Sequence, residues 1–304
     1  MALFLQTLID ALAIGALYAL TALGYTMVYG VLRFINFAHS DVFAVGAWVA
    51  VLATTAIVPR TGASPWMLLL IFPLVMVACG VLALLIERLA YRPLRHAPRL
   101  NVLITAIGVS LLLQNVGQLP QVFGNEPKPM PQIIPDLTIY RGIATIDLLD
   151  VISIAGAVVL MMALELLIFH TRVGRAMRAV SYNVSTAALM GINVDRIISL
   201  TFVIGAMLAG AAGVLFVLKY PVVQQPAQYT WVLLGLKAFI AAVVGGIGNV
   251  RGAMLGGFLI GLFEQFGKAY VSTQLADVFV FGLLIIVLLV RPGGILGSTL
   301  VEKV

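Results

Sequence analysis

Charge is scarce in this sequence of 304 residues: 10% are charged, against 62% that are apolar. A soluble domain carries about 25% charged and about 45–50% apolar residues. So few charges cannot cover the surface of a soluble protein of this size, and the same numbers exclude low-complexity disorder. Cysteine is nearly absent. Cys79, within an apolar block, is the only one, which excludes an intrachain disulfide and reads as a free packing thiol. No basic residue precedes Arg33, so the positive n-region of a signal peptide is missing and the first apolar block reads as a retained span. No phosphate-binding loop is found. The nearest run, Gly261 to Gly267-Lys268-Ala269, is one residue too long, ends in alanine and follows an apolar span. His39, His96 and His170 are scattered, without metal-ligand spacing, and no catalytic constellation is visible. The formal net charge is +6, but the basic residues sit in short loops between apolar blocks, which points to membrane orientation rather than to nucleic acid.

What the sequence has in abundance is apolar length. A membrane-spanning helix takes roughly 20 apolar residues, because lipid offers the backbone no hydrogen-bond partner. Nine segments qualify or come close: Thr7–Leu32, Val42–Val58, Pro65–Leu89, Leu100–Leu119, Ile146–Phe169, Ile197–Leu218, Trp231–Ile247, Gly252–Val271 and Gln274–Val290. The expected fold is an all-α polytopic bundle of 8–10 membrane segments, one domain over residues 1–304, with room for re-entrant half-helices and an inverted internal repeat.

The loops set an orientation. Residues 87–99 carry Arg88, Arg92, Arg95 and Arg99, and residues 170–196 carry Arg172, Arg175, Arg178 and Arg196. Two spans separate these loops, so they share a side, which the positive-inside rule makes cytoplasmic. The intervening Pro120 to Thr145 segment, with Glu126, Lys128, Asp136 and Arg141, has no basic excess and fits an exterior loop. If all nine segments cross, the N-terminus is outside, while Arg33, Arg251, Arg291, Lys303 and the C-terminus are inside. Arg60, Lys128, Arg141, Lys219 and Lys268 then lie outside or near the outer boundary, and Lys237 is left within a span. If Val42–Val58, the shortest segment, enters and leaves on one side, the N-terminus moves inside and Arg33 outside. Charge does not choose between the two.

Tyr25 to Ala50, broken at Asn36, His39 and Asp41, has the layout of Phe239 to Phe266, broken at Gly245 to Asn249. Inverted copies, as in many transporters, need an odd number of intervening spans, which favours a re-entrant Val42–Val58. Asn36, His39, Asp41 and Asn249 are the candidate pathway positions. Their structural alternative is that Asp41 caps a helix starting at Val42 and Asn36 ties off a turn. The functional alternative is a half-helix N-terminus whose dipole favours a substrate carboxylate. Glu264 and Lys268 stand at i,i+4 and read as a compensated ion pair near the outer boundary. Gly205/Ala209/Gly213, Gly252/Gly256 and Gly257/Gly261 form small-residue faces for close helix packing.

Residues 170–196 are the most informative stretch. Val173, Ala176, Met177, Val180, Val184, Ala187 and Ala188 fall on one helical face, with Arg172, Arg175 and Arg178 away from it. The first half reads as an extension of the preceding span. Asn183 then caps a short helix from Val184 to Met190, which Gly191 ends in the left-handed conformation. Two turns are marginal alone and need a surface, either a cytoplasmic partner or lipid headgroups.

Here a family resemblance emerges. Gly174-Arg175-Ala176-Met177-Arg178-Ala179-Val180-Ser181 followed by Ala187-Ala188-Leu189-Met190-Gly191-Ile192-Asn193 resembles the cytoplasmic loop of bacterial branched-chain amino-acid ABC transporter permeases, of the first of the two related subunits. Tyr25 to Val31, Asn36-Phe37-Ala38-His39, Glu87 to Arg95, Gly245 to Ala253 and Arg291 to Gly297 resemble further blocks of that family, in order over nearly the whole chain. Ser40 stands where glycine is more usual. The resemblance implies the permease half of an ATP-driven importer in the inner membrane. It implies a second related permease, two ATPase subunits holding ATP and magnesium, and an extracytoplasmic solute-binding protein, with no cofactor in this chain. Arg175, Arg178, Asn183, Ala187, Ala188, Leu189 and Gly191 would form the element that contacts an ATPase. The substrate class would be branched-chain or other neutral amino acids, with urea and short amides as the alternative within the family. A stand-alone channel is the remaining reading: Asn36-Phe37-Ala38 is similar to the Asn-Pro-Ala turn of water channels, without its proline and without a second copy at Asn249.

Overall fold

The computed structural model describes residues 1–95, 97–135 and 137–297; His96, Asp136 and Lys303, and the side chains of Arg60 and Arg99, lie outside the described residues. The architecture is all-α. The long helices are α1 (Ala2–Leu32), α2 (His39–Thr61), α3 (Leu68–Ile86), α4 (Arg99–Gly117), α5 (Leu148–His170), α8 (Val194–Lys219), α9 (Tyr229–Gly245), α10 (Val250–Tyr270) and α11 (Ala276–Val290). Between α5 and α8 lie two short ones, α6 (Arg172–Tyr182) and α7 (Val184–Leu189). Among the described residues, six helices are long and apolar enough to cross a membrane, α9 and α11 being shorter apolar helices. The chain is a multi-span helical membrane protein.

The centre of the bundle is made of small residues. α1 is buried on all sides from Ala13 to Val28, and α8 buries 72% of its apolar stretch. In lipid the attraction between helices comes from close van der Waals packing, which small side chains permit. The three small-residue faces do this. Gly205 lies against Gly24 of α1 and Gly213 against the Phe43 carbonyl of α2. Gly252 and Gly256 meet Gly245 and Ala241 of α9, while Gly257 and Gly261 meet Ala19, Gly15 and Ala11 of α1. Cys79 is a buried thiol that packs on Gly210 and lies 3.7 Å from the Val42 carbonyl. The periphery is the opposite in character: α4 buries only 17% of its apolar stretch, and Ile104, Leu111, Met162, Leu166, Ile285 and Leu289 are exposed.

The two ends of the bundle are distinct, and they decide the topology. At one end the Arg33 guanidinium donates to the Ser181 carbonyl (3.2 Å), and the Ser181 hydroxyl donates to the Gly30 carbonyl (2.5 Å). At that end too, Arg92 and Arg95 pair with Asp195, Arg95 pairs with Glu87, and Arg251 pairs with Glu165 at 2.6 Å. At the other end, the Gln6 side chain accepts from Thr145 (2.9 Å), and Lys219 pairs with Asp150 (2.6 Å) and Asp10 (3.5 Å). There Lys128–Pro129 also forms a two-residue antiparallel pairing with Val222–Val223. Arg33 therefore lies with the other arginines, and the start of α1 lies at the opposite end. This is the arrangement in which α2 crosses. α2 is not a half-helix: it has 23 residues and reaches the far-end loops, where the Trp48 indole donates to the Gln224 carbonyl at 3.0 Å. The break at Gly245 to Asn249 is at the arginine end as well, since Gly248 lies beside Gly30. The two similarly broken stretches thus share one orientation and are not inverted copies.

Candidate functional site

The 170–196 segment holds the short helix expected after Asn183, but its first half is a separate capped helix and not an extension of α5. The chain turns sharply at Thr171, whose hydroxyl oxygen accepts from the Gly174 amide (3.1 Å) and starts α6 afresh. Only glycine fits at 174, because a Cβ there would run into the Leu167 and Ile168 carbonyls. α6 buries Gly174, Met177 and Val180 against the bundle and leaves Arg172 and Arg175 in solvent. Arg178 is drawn back: it donates to the Ile168 carbonyl (2.7 Å) and stacks on Phe169, whose ring also carries Arg251.

Asn183 then begins α7, its side-chain oxygen accepting from the Thr186 amide at 2.9 Å. α7 ends at Leu189, one residue before the expected Met190, and Gly191 follows at φ 81°, a left-handed position natural only to glycine. Ala187 is the single inward anchor of this helix, 3% exposed, whereas Ala188 faces out. Leu189 and Met190 are 88% and 79% exposed, and Tyr182, at the end of α6, is exposed as well. An apolar knob therefore stands at the arginine end, held by two side-chain caps and a left-handed glycine.

Of the four buried or semi-buried polar positions singled out above, three gather at one turn. The Tyr91 hydroxyl donates to the Asn36 side-chain oxygen (2.6 Å), and the Asn36 carbonyl accepts from the His39 amide (3.1 Å). The turn-tying role of Asn36 is thus met, with an added partner on the helical turn that follows α3. Asp41 is not a cap. α2 starts at His39, three residues earlier than Val42, because the His39 and Val42 amides already find the Asn36 and Ala38 carbonyls. This places Asp41 inside the first helical turn, where its carboxylate accepts from Gln114 of α4 at 2.8 Å. His39 packs edge-on against Tyr25 and over Gly24. Ser40 fills the space above Gly235, and its hydroxyl donates to the Phe37 carbonyl at 3.1 Å. Asn249 does not join them: it caps α10 through the Gly252 amide (3.1 Å) and donates to the Leu296 carbonyl (2.7 Å).

A second buried polar cluster went unassembled in the sequence. Glu264 pairs with Lys268 (2.5 Å) as the i,i+4 spacing implied, and also with Lys237 of α9 (3.0 Å) and the Tyr18 hydroxyl of α1 (2.6 Å). Lys237 in turn pairs with Asp277 of α11 at 2.7 Å. Beyond that spacing the sequence signal was a lone lysine in an apolar span, whose partners are 27 and 40 positions away. Tyr18, Phe216, Tyr220, Trp231, Lys237 and Glu264 are among the walls of a cavity of about 560 Å³.

With this geometry in place, comparison with known proteins is informative. The family model described as "Branched-chain amino acid transport system / permease component" matches residues 7–288. The high-affinity branched-chain amino acid transport system permease protein BraD of Pseudomonas aeruginosa is 43% identical, over 99% of this chain and 98% of its own. The corresponding protein LivH of Escherichia coli K12 is 41% identical over the same shares. The probable branched-chain amino acid transport permease protein LivH of Methanocaldococcus jannaschii is 30% identical over 94% of this chain and 90% of its own. No solved structure matches the chain.

Proposed function

The chain belongs to the branched-chain amino-acid transport system permease family, and from that premise we propose that it is one permease subunit of an ATP-driven importer of branched-chain amino acids. Its arginine end, with the C-terminus, faces the cytoplasm of a cell whose plasma membrane it spans, as the positive-inside rule requires. It works beside a second, related permease, two ATPase subunits and an extracytoplasmic binding protein. ATP and magnesium are held by the ATPases, and this chain contributes no cofactor of its own.

The observation that carries the reading is the knob at Leu189 and Met190. A six-residue helix is unstable in isolation. This one is fixed by Asn183, Gly191 and buried Ala187, so that two large apolar side chains stand in solvent at the arginine end. A stand-alone channel has no use for such a feature, whereas an apolar slot in an ATPase would cover it. Arg172 and Arg175, exposed on α6, would meet acidic groups on the ATPase surface. Motion of the ATPase pair would pass through α7 to α6 and, by the Ser181–Gly30 and Arg33–Ser181 bonds, to the inner end of α1.

The test is to purify the chain with its genomic neighbours, reconstitute the complex in vesicles and follow labelled leucine. ATP-dependent uptake that needs the ATPase and the binding protein is expected. Leu189→Asp should abolish capture of the ATPase. Uptake without any ATPase would refute the importer reading, and titrating the binding protein with leucine, urea and short amides identifies the substrate class.

A further inference from the structure

The buried carboxylates of this protein are not alike. Glu87 has Arg95 beside it, Asp150 has Lys219 at 2.6 Å, and Glu264 has Lys268 and Lys237. Asp41 is as deeply buried, 2% exposed, yet no ion pair reaches it among the described residues. One oxygen accepts from Gln114, with Ser110 facing the group, and the other, Oδ2, is buried without a hydrogen-bond partner. A buried charge without a partner costs several kcal/mol by general expectation, roughly, and is retained where it has a task.

The surroundings indicate what that task is. Asp41 lies on a narrow cleft between α2 and α4 with Val45, Trp48, Leu113 and Phe123 as apolar walls. The cleft is about 10 Å³, which leaves room for about one water. Its wall on one side is α4, the least buried of the six long apolar helices, with 17% of its apolar stretch covered. Two helical turns along α2, Lys128 stands 5.6 Å over the Trp48 ring, so a cation marks the far-end lip of the same cleft. An unpaired anion, aliphatic and aromatic walls and a thinly covered α4 match one class of solute: a small zwitterion with an ammonium group and an apolar side chain.

Resting on the substrate reading above, we propose that Asp41 receives the ammonium group of the amino acid during passage, in the cleft that opens when α4 moves away from α2. The contact is a charge-assisted hydrogen bond from the ammonium to Oδ2, which has no partner of its own while Gln114 holds the other oxygen. The polarity is the reverse of a helix N-terminus drawing in the substrate carboxylate: the first turn of α2 offers a carboxylate to the opposite end of the zwitterion.

The experiment uses the whole reconstituted complex and labelled leucine. Asp41→Asn keeps size and hydrogen bonding and removes the charge; at least a tenfold fall in uptake is expected from a complex that still assembles. Uptake within twofold of wild type overturns the proposal while leaving the importer reading intact. A second variant leaves Asp41 in place. Leu113→Lys tethers an ammonium in the cleft, where it competes for the carboxylate, and should transport at least tenfold less than Leu113→Gln. Equal uptake by these two overturns the proposal even if the Asp41 variant fails to assemble. A wild-type complex that imports urea or short amides but not leucine overturns both this assignment and the substrate reading on which it rests.

Discussion

Two buried polar regions of this bundle solve the same physical problem in opposite ways. Around Glu264, two lysines, a second carboxylate and a tyrosine hydroxyl gather from α1, α9, α10 and α11, so each charge has an opposite within 3.0 Å. Around Asp41 there are a neutral amide, the Ser110 hydroxyl and an apolar wall. The first arrangement ties four helices together. The second ties none strongly and leaves an anion waiting. In a low-dielectric interior the first costs little net energy because attraction offsets desolvation, while the second stays unfavourable until a cation arrives. The difference teaches that burial of charge alone does not mark a functional group; burial without compensation does.

The largest effect expected is at the compensated cluster. Glu264→Leu leaves Lys268 without its partner and Lys237 with Asp277 alone, and breaking a buried pair in this way costs about 3–5 kcal/mol. The variant should be poorly folded or melt well below wild type in detergent. Removing Lys237 together with it, as Lys237→Leu/Glu264→Leu, should recover at least half of that loss, since an apolar replacement of a whole pair is close to neutral. A Glu264→Leu protein as stable as wild type would erase the distinction between the two regions.

A smaller effect of opposite sign is expected at the uncompensated group. Asp41→Leu removes an unpartnered buried carboxylate and should leave the melting temperature unchanged or raise it, by about 1 kcal/mol in stability. A fall as large as that of Glu264→Leu would mean that Asp41 is a structural element like its counterpart. An effect on stability of similar size belongs to Gly191→Val, outside both regions. Nothing lies within 4 Å of a Cβ placed there, so the only penalty is about 1–2 kcal/mol of left-handed backbone strain, confined to α7. Melting should scarcely change while ATPase binding is lost. Intact ATPase binding and transport would remove α7 from the coupling role.

What could be read before folding followed from local rules. Asn183 was identifiable as a cap and Gly191 as a terminator because a helix end needs a side-chain acceptor at one side and a left-handed residue at the other, within a few positions. The arginine loops were visible for the same reason, as a bias along the chain. Thr171 was harder. The periodicity of Val173 to Val180 continues the apolar pattern of α5, and only the collision a Cβ would make at Gly174 reveals that the chain turns there. Asp41 looked like a cap because Val42 begins the apolar run. The backbone starts its hydrogen bonds at His39 instead, which turns the carboxylate from a helix end to a helix side.

The sequence by itself determined that this chain lives in a membrane, which loops share a side, and that one short capped helix needs a surface to dock on. Each of these depends on composition or on spacings of a few residues. Whether α2 crosses, which end holds the N-terminus, that Lys237 finds Glu264 and that Asp41 finds no cation were decided only by the tertiary structure. These depend on residues far apart in the chain: Arg33 is 148 positions from Ser181, and Tyr18 is 246 from Glu264. Charge partners across helices leave no periodic trace, so a compensated lysine and an uncompensated aspartate look the same until the helices are packed.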